Sequence, residues 1–207
     1  MINFLYIYHK NSYSILFLLL FLSGCSFRKS LKKLPHFNQS HDVIENDLSV
    51  YAHAYTAHDA HAFFGVNLLL YGFQPIQFNM INNTSKSFFI RPGYIDRELI
   101  PSERIFPFIK TDASLFVYAA GLPSFLYYWP LVPLFVAPVG YGIYRENKDV
   151  KKLLRQHTLE EQDTIEIKPY SSVEKIIFVS TSGAPEVTLQ FYHQVEGTLK
   201  TFDFNTV

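Results

Sequence analysis

The spacing of apolar and polar residues changes period several times along this chain, and each change marks an element. Between Pro75 and Asn82, Ile76, Phe78 and Met80 fall on one side and Gln77, Asn79 and Ile81 on the other. A period of two predicts a half-buried strand. Asn82-Asn83-Thr84-Ser85 is turn chemistry, because Asn tolerates positive φ. Ser87-Phe88-Phe89-Ile90 then reads as the returning strand of a β-hairpin, ended by Pro92-Gly93. Upstream, Val50 to Thr56 has the β-branched and aromatic content of another strand. After it, Asp59 is placed to cap a helix whose Ala60, Phe63, Phe64, Asn67, Leu68 and Tyr71 recur at helical spacing, with Gly72 as the stop. Pro101 and Pro107 punctuate Tyr94 to Lys110, which predicts loop with one short edge strand.

The C-terminal part repeats this grammar. Asn147 is placed to cap a helix with Val150, Leu153, Leu154 and His157 on one stripe. Ile165 and Ile167 alternate with polar neighbours, Lys175 to Ser180 is an apolar run of strand length, and Val187, Leu189 and Phe191 alternate with Thr188, Gln190 and Tyr192. Turn residues at Ser182-Gly183-Ala184-Pro185 and Glu196-Gly197 separate these strands from Leu199 to Phe204. Short strands between turns predict a mainly β fold with helical insertions (α+β), an immunoglobulin-like antiparallel β-sandwich. The Cys and Trp hallmarks of true immunoglobulin domains are missing, so the expectation is one of class. Residues 47–207 are expected to form one domain.

One stretch breaks the pattern. Ala113 to Tyr144 contains no charged residue. A bilayer span needs ~20 apolar residues, so length alone permits a crossing. Pro123, Pro130, Pro133 and Pro138 argue against one, because an interior proline costs ~3 kcal/mol in a helix and unpaired backbone groups facing lipid cost more. The segment is expected to be a hydrophobic hairpin insertion over 113–144. Two short helical arms, 113–122 and 131–144, would be joined by an aromatic elbow. Strands on both sides of the segment require both ends to return to the same domain. Phe125, Tyr127, Tyr128, Trp129, Leu131 and Phe135 are the candidates for membrane contact, the Tyr and Trp at the headgroup boundary. The alternatives are a segment packed as core or as a flap over a sheet, and a true span.

The N-terminus carries the most specific motif. Ile15 to Phe21 is an apolar run too short to span a bilayer. It leads into Leu22-Ser23-Gly24-Cys25, which ends in the only cysteine of the chain. An apolar helix followed by small residues is how a secretory signal ends. These four residues resemble the lipobox of bacterial membrane lipoproteins. The resemblance implies a signal peptide over 1–24, cleavage between Gly24 and Cys25, and a diacylglyceryl thioether on Cys25. No other cofactor is expected. Ser26 follows; in Gram-negative lipoproteins Asp at that place favours the inner membrane, so Ser26 implies the outer membrane, on its periplasmic or surface face. The rival reading is an uncleaved anchor with an incidental cysteine. With Cys25 acylated, no disulfide can form in the mature chain, and its core alone must hold it.

Charge narrows the partners. Lys+Arg and Asp+Glu both number 18, a balance that argues against nucleic acid. Arg28, Lys29, Lys32 and Lys33 cluster just after Cys25. Residues 25–46 therefore read as a basic tether, suited to anionic headgroups or simply solvated. His53, His58 and His61, with Asp59 between them, match no metal-site spacing, and no metal is expected. Ser182-Gly183 lacks the Gly-x-Ser-x-Gly elbow, and Asp96, Glu98 and Glu103 read as solvated carboxylates. The expectation is a non-catalytic, lipid-anchored envelope protein, its partners membrane lipid and an envelope protein. The alternative is a lipid-binding or lipid-transfer module in which 113–144 lines or lids a groove.

Overall fold

Alternation decides which strands share a core. The structure, a computed structural model, describes residues 34, 41–44, 47–111, 132–182, 186–193, 197 and 199–205. Strands β1 (His41–Ile44), β2 (Leu48–Ala54), β3 (Phe73–Asn82) and β6 (Ser172–Ser180) form one antiparallel sheet in the order β1-β2-β3-β6. Strands β4 (Phe88–Ile90), β5 (Ile165–Ile167), β7 (Glu186–His193) and β8 (Leu199–Asn205) form a second, in the order β5-β4-β7-β8. The apolar side chains of both sheets meet in one buried cluster: Val50, Phe78 and Val179 from the first, Phe88, Leu189 and Phe204 from the second. The Phe78 and Phe204 rings lie 5.4 Å apart across it. The chain is thus α+β with two antiparallel sheets. The expected alternation of Ile76/Phe78/Met80 and of Val187/Leu189/Phe191 is found, each residue buried.

The other face of the first sheet is covered too. There Ile176 and Phe178 of β6 pack with Tyr55, Phe64, Leu68, Ile105, Ile109, Val150 and Leu154. A strand covered on both faces reads as an unbroken apolar run, and Ile176 to Val179 are all buried. Helices supply this layer: α1 (Ala57–Phe64), α2 (Ser102–Ile109) and α3 (Val132–His157). Leu34 is buried in the same cluster. β1 lies inside the stretch read as tether, paired residue for residue with β2 from His41↔Ala52 to Ile44↔Ser49.

Four local expectations are corrected. The hairpin does not form: β3 pairs with β2 and β6, while β4 pairs with β5 and β7 in the other sheet. Asn82 drives the crossing. Buried itself, it donates from Nδ2 to the carbonyls of Ile167 (3.1 Å) and Lys168 (3.0 Å), and it accepts from Thr84 N–H (3.0 Å). Second, the cap of α1 is Thr56, not Asp59. Asp59 completes a capping box, and α1 stops at Gly65, whose φ of 77° is left-handed. Leu68–Tyr71 is a separate 3-10 turn closed by Gly72.

Third, Tyr94–Lys110 is more than loop. Ile95 makes one antiparallel bridge to Leu189, but Ser102–Ile109 is helix. Ser102, Ile105 and Ile109 form its buried stripe, and Pro107 sits on the exposed side. Pro101 offers no capping side chain; the Glu160 carboxylate accepts from both the Ser102 N–H and the Ser102 hydroxyl. Fourth, the second hydrophobic arm does not end at 144. It is continuous with the helix expected after Asn147, so that α3 runs unbroken from Val132 to His157. Pro133 lies in the first turn, where a missing N–H removes no helical bond; Pro138 stands in the second turn and is the last proline of the helix. The onset of charge at Arg145 changes the solvent preference of the helix, not its backbone.

Candidate functional site

Several of the groups that could do chemistry hold the structure together among the described residues. His53 Nε2 lies 3.2 Å from Asp59 Oδ2, and the same oxygen accepts from Thr56 N–H (3.0 Å) and the Thr56 hydroxyl (2.8 Å). Burial alone would raise the Asp59 pKa, but the bonds from Thr56 and His53 outweigh it and hold the carboxyl below its usual range. His58 and His61 are exposed. Among the described residues no three His, Cys, Asp or Glu side chains are grouped for a metal. Asp96 exchanges two bonds with Thr188, its N–H donating to the Thr188 carbonyl (3.2 Å) and its carboxylate accepting from the Thr188 N–H (2.9 Å). Glu103 occupies the first turn of α2, where a negative charge suits the helix dipole.

Buried titratable groups are equally committed. The Tyr55 hydroxyl donates to Gln77 Oε1 at 2.8 Å, and burial, with Asp59 and Glu174 nearby, pushes its pKa up, so it stays a neutral donor. Lys175 donates to the Gln156 carbonyl (2.7 Å) in the last turn of α3, and burial lowers its pKa against the pull of Asp163. His157 is lowered by burial and by Lys175. These contacts fasten α3 to the first sheet.

α3 carries the arrangement with a use beyond packing. Asn147 sits within the helix and grips the chain leaving α2: its Nδ2 donates to the Thr111 carbonyl (3.0 Å), and its Oδ1 accepts from the Thr111 N–H (2.9 Å). The two residues are 36 apart in sequence, and the whole uncharged segment, 113–144, lies between them. The chain at Thr111 and the chain at Asn147 are therefore held at one place.

The outward face of α3 is chemically distinct. Ile143, Val150 and Leu154 face the protein and are buried. Tyr141, Tyr144, Arg145, Lys148, Lys151, Lys152 and Arg155 are all exposed, at the three- and four-residue steps that line up along one side of a helix. Lys148, Lys151, Lys152 and Arg155, with Gln156, border an open depression of ≈ 360 Å³. Lys151 reaches over the Phe106 ring of α2, 5.9 Å from its centre. Three further exposed apolar residues lie near the root. Phe108 of α2 stacks on Tyr71 (4.7 Å) and Phe73 (5.2 Å), and Leu70 beside Tyr71 is 80% exposed. Thr111 follows α2 directly, so this apolar rim and the root share one end of the helical layer.

Of the residues singled out from sequence, Gly24, Cys25, Phe125, Tyr127, Tyr128, Trp129 and Leu131 lie outside the described residues, as do the first arm and the elbow. Phe135 lies in α3, its side chain outside the described set. The basic stripe of α3 was not among the expected site residues. Its signal was the recurrence of Tyr141, Tyr144, Lys148, Lys152 and Arg155, which appears only when the helix is begun well before Asn147. No helix among the described residues is long and apolar enough to cross a membrane. No protein-family model, curated protein or solved structure matches this chain.

Proposed function

We propose that this chain is a bacterial membrane lipoprotein. Its acylated Cys25 holds a two-sheet domain of immunoglobulin-like sandwich type at the cell envelope, with the outer membrane the favoured site. The role is structural or interactive rather than catalytic. The uncharged 113–144 segment is a hairpin that enters the same membrane. One observation supports the hairpin part of this reading: the Asn147–Thr111 clamp holds the two ends of the segment together, which a dipping hairpin requires and a single crossing forbids. A domain on one side of a bilayer cannot hold both ends of a single span within hydrogen-bond distance. Leu34 adds support, because its burial ties the tether to the helical layer.

Two measurements test this. In a bacterial host, a fatty-acid probe should label the wild-type chain and not Cys25→Ser; labelling of the serine variant overturns the lipoprotein reading. Purified protein begun at Ser26, without signal or lipid, should still require detergent. If it is monomeric and freely soluble without detergent, the hairpin does not enter a membrane. Lipid co-purifying with it at fixed stoichiometry would move the reading to a lipid-carrying module.

A further inference from the structure

We infer that the outward face of α3 is a docking surface for anionic lipid headgroups, with Tyr141 and Tyr144 at the bilayer boundary and Lys148, Lys152 and Arg155 on the phosphates. The inference rests on the membrane reading above and deepens it by naming the lipid chemistry. Three observations carry it. First, the charge is one-sided. Among the described residues, Arg145, Lys148, Lys152 and Arg155 have no ion-pair partner, although the whole chain is neutral. The two acids of the helix, Glu146 and Asp149, fall off the centre of this stripe at 100° per residue. The helix dipole accounts for cations only in the last turn. It explains Arg155 and not Arg145 or Lys148, which stand well before the C-terminus.

Second, the order along the helix matches the order of layers at a membrane surface. The uncharged run closes on Tyr141 and Tyr144, and cations follow from Arg145. Aromatic residues settle at the headgroup level and Lys and Arg reach outward to phosphates. A helix rooted beside an apolar segment presents these in sequence without any rearrangement. The exposed Leu70, Tyr71 and Phe108 lie at the same end.

Third, the shape suits a layer rather than a single ion. The depression bordered by Lys148, Lys151, Lys152 and Arg155 is open and lined by long side chains of one helix. A buried anion needs a closed cradle of fixed donors. Mobile cations spread over about two helical turns fit several headgroups at once, and each such charge near an anionic surface strengthens attachment about fivefold.

The test uses the full chain with Cys25→Ser, so that no covalent lipid holds it, and sedimentation with vesicles. One set is phosphatidylcholine alone; the other is equal parts phosphatidylcholine and phosphatidylglycerol. The parent should bind the anionic set more tightly, and added salt should remove the difference. The Lys148→Gln/Lys152→Gln/Arg155→Gln variant should bind the anionic set about a hundredfold more weakly and the neutral set as before. Lys168→Gln, which removes an exposed charge beside β5, should change neither. If the triple variant does not fold, Lys148→Gln and Lys152→Gln singly, each expected to bind the anionic set about fivefold more weakly, read the same contact. Equal binding of the parent to both sets overturns the inference and leaves the hairpin reading standing. Binding to neither overturns both. Preference for a DNA duplex over the anionic vesicles overturns it in favour of nucleic acid.

Discussion

Replacing Asn147 by Ala should loosen the root of the hydrophobic segment by an amount that can be worked out beforehand. The side chain makes two bonds to the backbone of Thr111, at 2.9 and 3.0 Å. Both residues are half-buried, so water reaches part of what the substitution exposes. Each lost bond costs about 1 kcal/mol under those conditions, or about 2 kcal/mol for the pair. Alanine is the better helix former by about 0.6 kcal/mol, which offsets part of the loss. The net destabilisation is about 1.4 kcal/mol. For a domain of this size that lowers Tm by about 3–6 °C. The assay is a circular-dichroism melt of the Cys25→Ser chain in mild detergent, with Lys148→Ala as the neighbouring control. Lys148 is exposed and its replacement should stay within about 0.5 kcal/mol. Limited proteolysis adds a local readout, since cleavage near Thr111 should accelerate in the Asn147 variant before the sheets respond. An Asn147→Ala protein that melts with the Lys148→Ala control and is cut at the same rate would show that the clamp holds nothing.

Asn82→Ala should be the more damaging substitution. It leaves the Ile167 carbonyl without its buried Asn82 partner and removes the groups that turn β3 toward the second sheet; a urea titration should show a loss of about 3 kcal/mol, and a loss below about 1 kcal/mol would contradict the role given to it. At the start of α1, Thr56→Ala should cost about 1 kcal/mol. The partner carboxylate gives a pH signature. The Asp59 pKa is lowered in the folded state, so its contribution is fully present above the unfolded carboxylate value and fades as pH falls through the lower folded one. Asp59→Asn should therefore flatten the acid side of the stability profile and leave the alkaline side unchanged; parallel acid limbs would sink the assignment.

The strands were legible because their pattern is local. Ile76/Phe78/Met80 and Val187/Leu189/Phe191 announce a buried face whatever lies opposite. Which sheet each strand joins was not legible. Asn82-Asn83-Thr84 is the same turn chemistry whether the chain reverses into a hairpin or crosses to a facing sheet. The deciding bonds run from Asn82 to residues 85 and 86 positions away. α2 escaped for a related reason. Two prolines in ten residues read as loop, while its cap is Glu160, 58 residues distant. The surface of α3 was half legible: its cations are plain in sequence, but their common face depends on where the helix begins. A helix started at Asn147 leaves Tyr141, Tyr144 and Arg145 outside it.

Three features of the helical layer fix one orientation for the proposed attachment. Leu34 is buried in that layer, and a chain from Cys25 to Leu34 reaches at most about 30 Å when fully extended. The root of the uncharged segment is clamped to that layer at Asn147. The exposed cations lie on its longest helix. The layer covers one face of the first sheet, and the second sheet covers the other. A molecule anchored as proposed would turn its helices to the bilayer and its second sheet away from it. The outer face of that sheet carries Glu166, Thr188, Gln190 and Asp203, with the Thr188 hydroxyl bonded to Asp203 at 2.7 Å, beside a cross-strand row of Phe89, Tyr192 and Leu199. An envelope partner reaching this domain from the aqueous side meets that face first. Its recognition would combine hydrogen bonds and charge with the half-buried Phe89 and Tyr192 and the exposed Leu199.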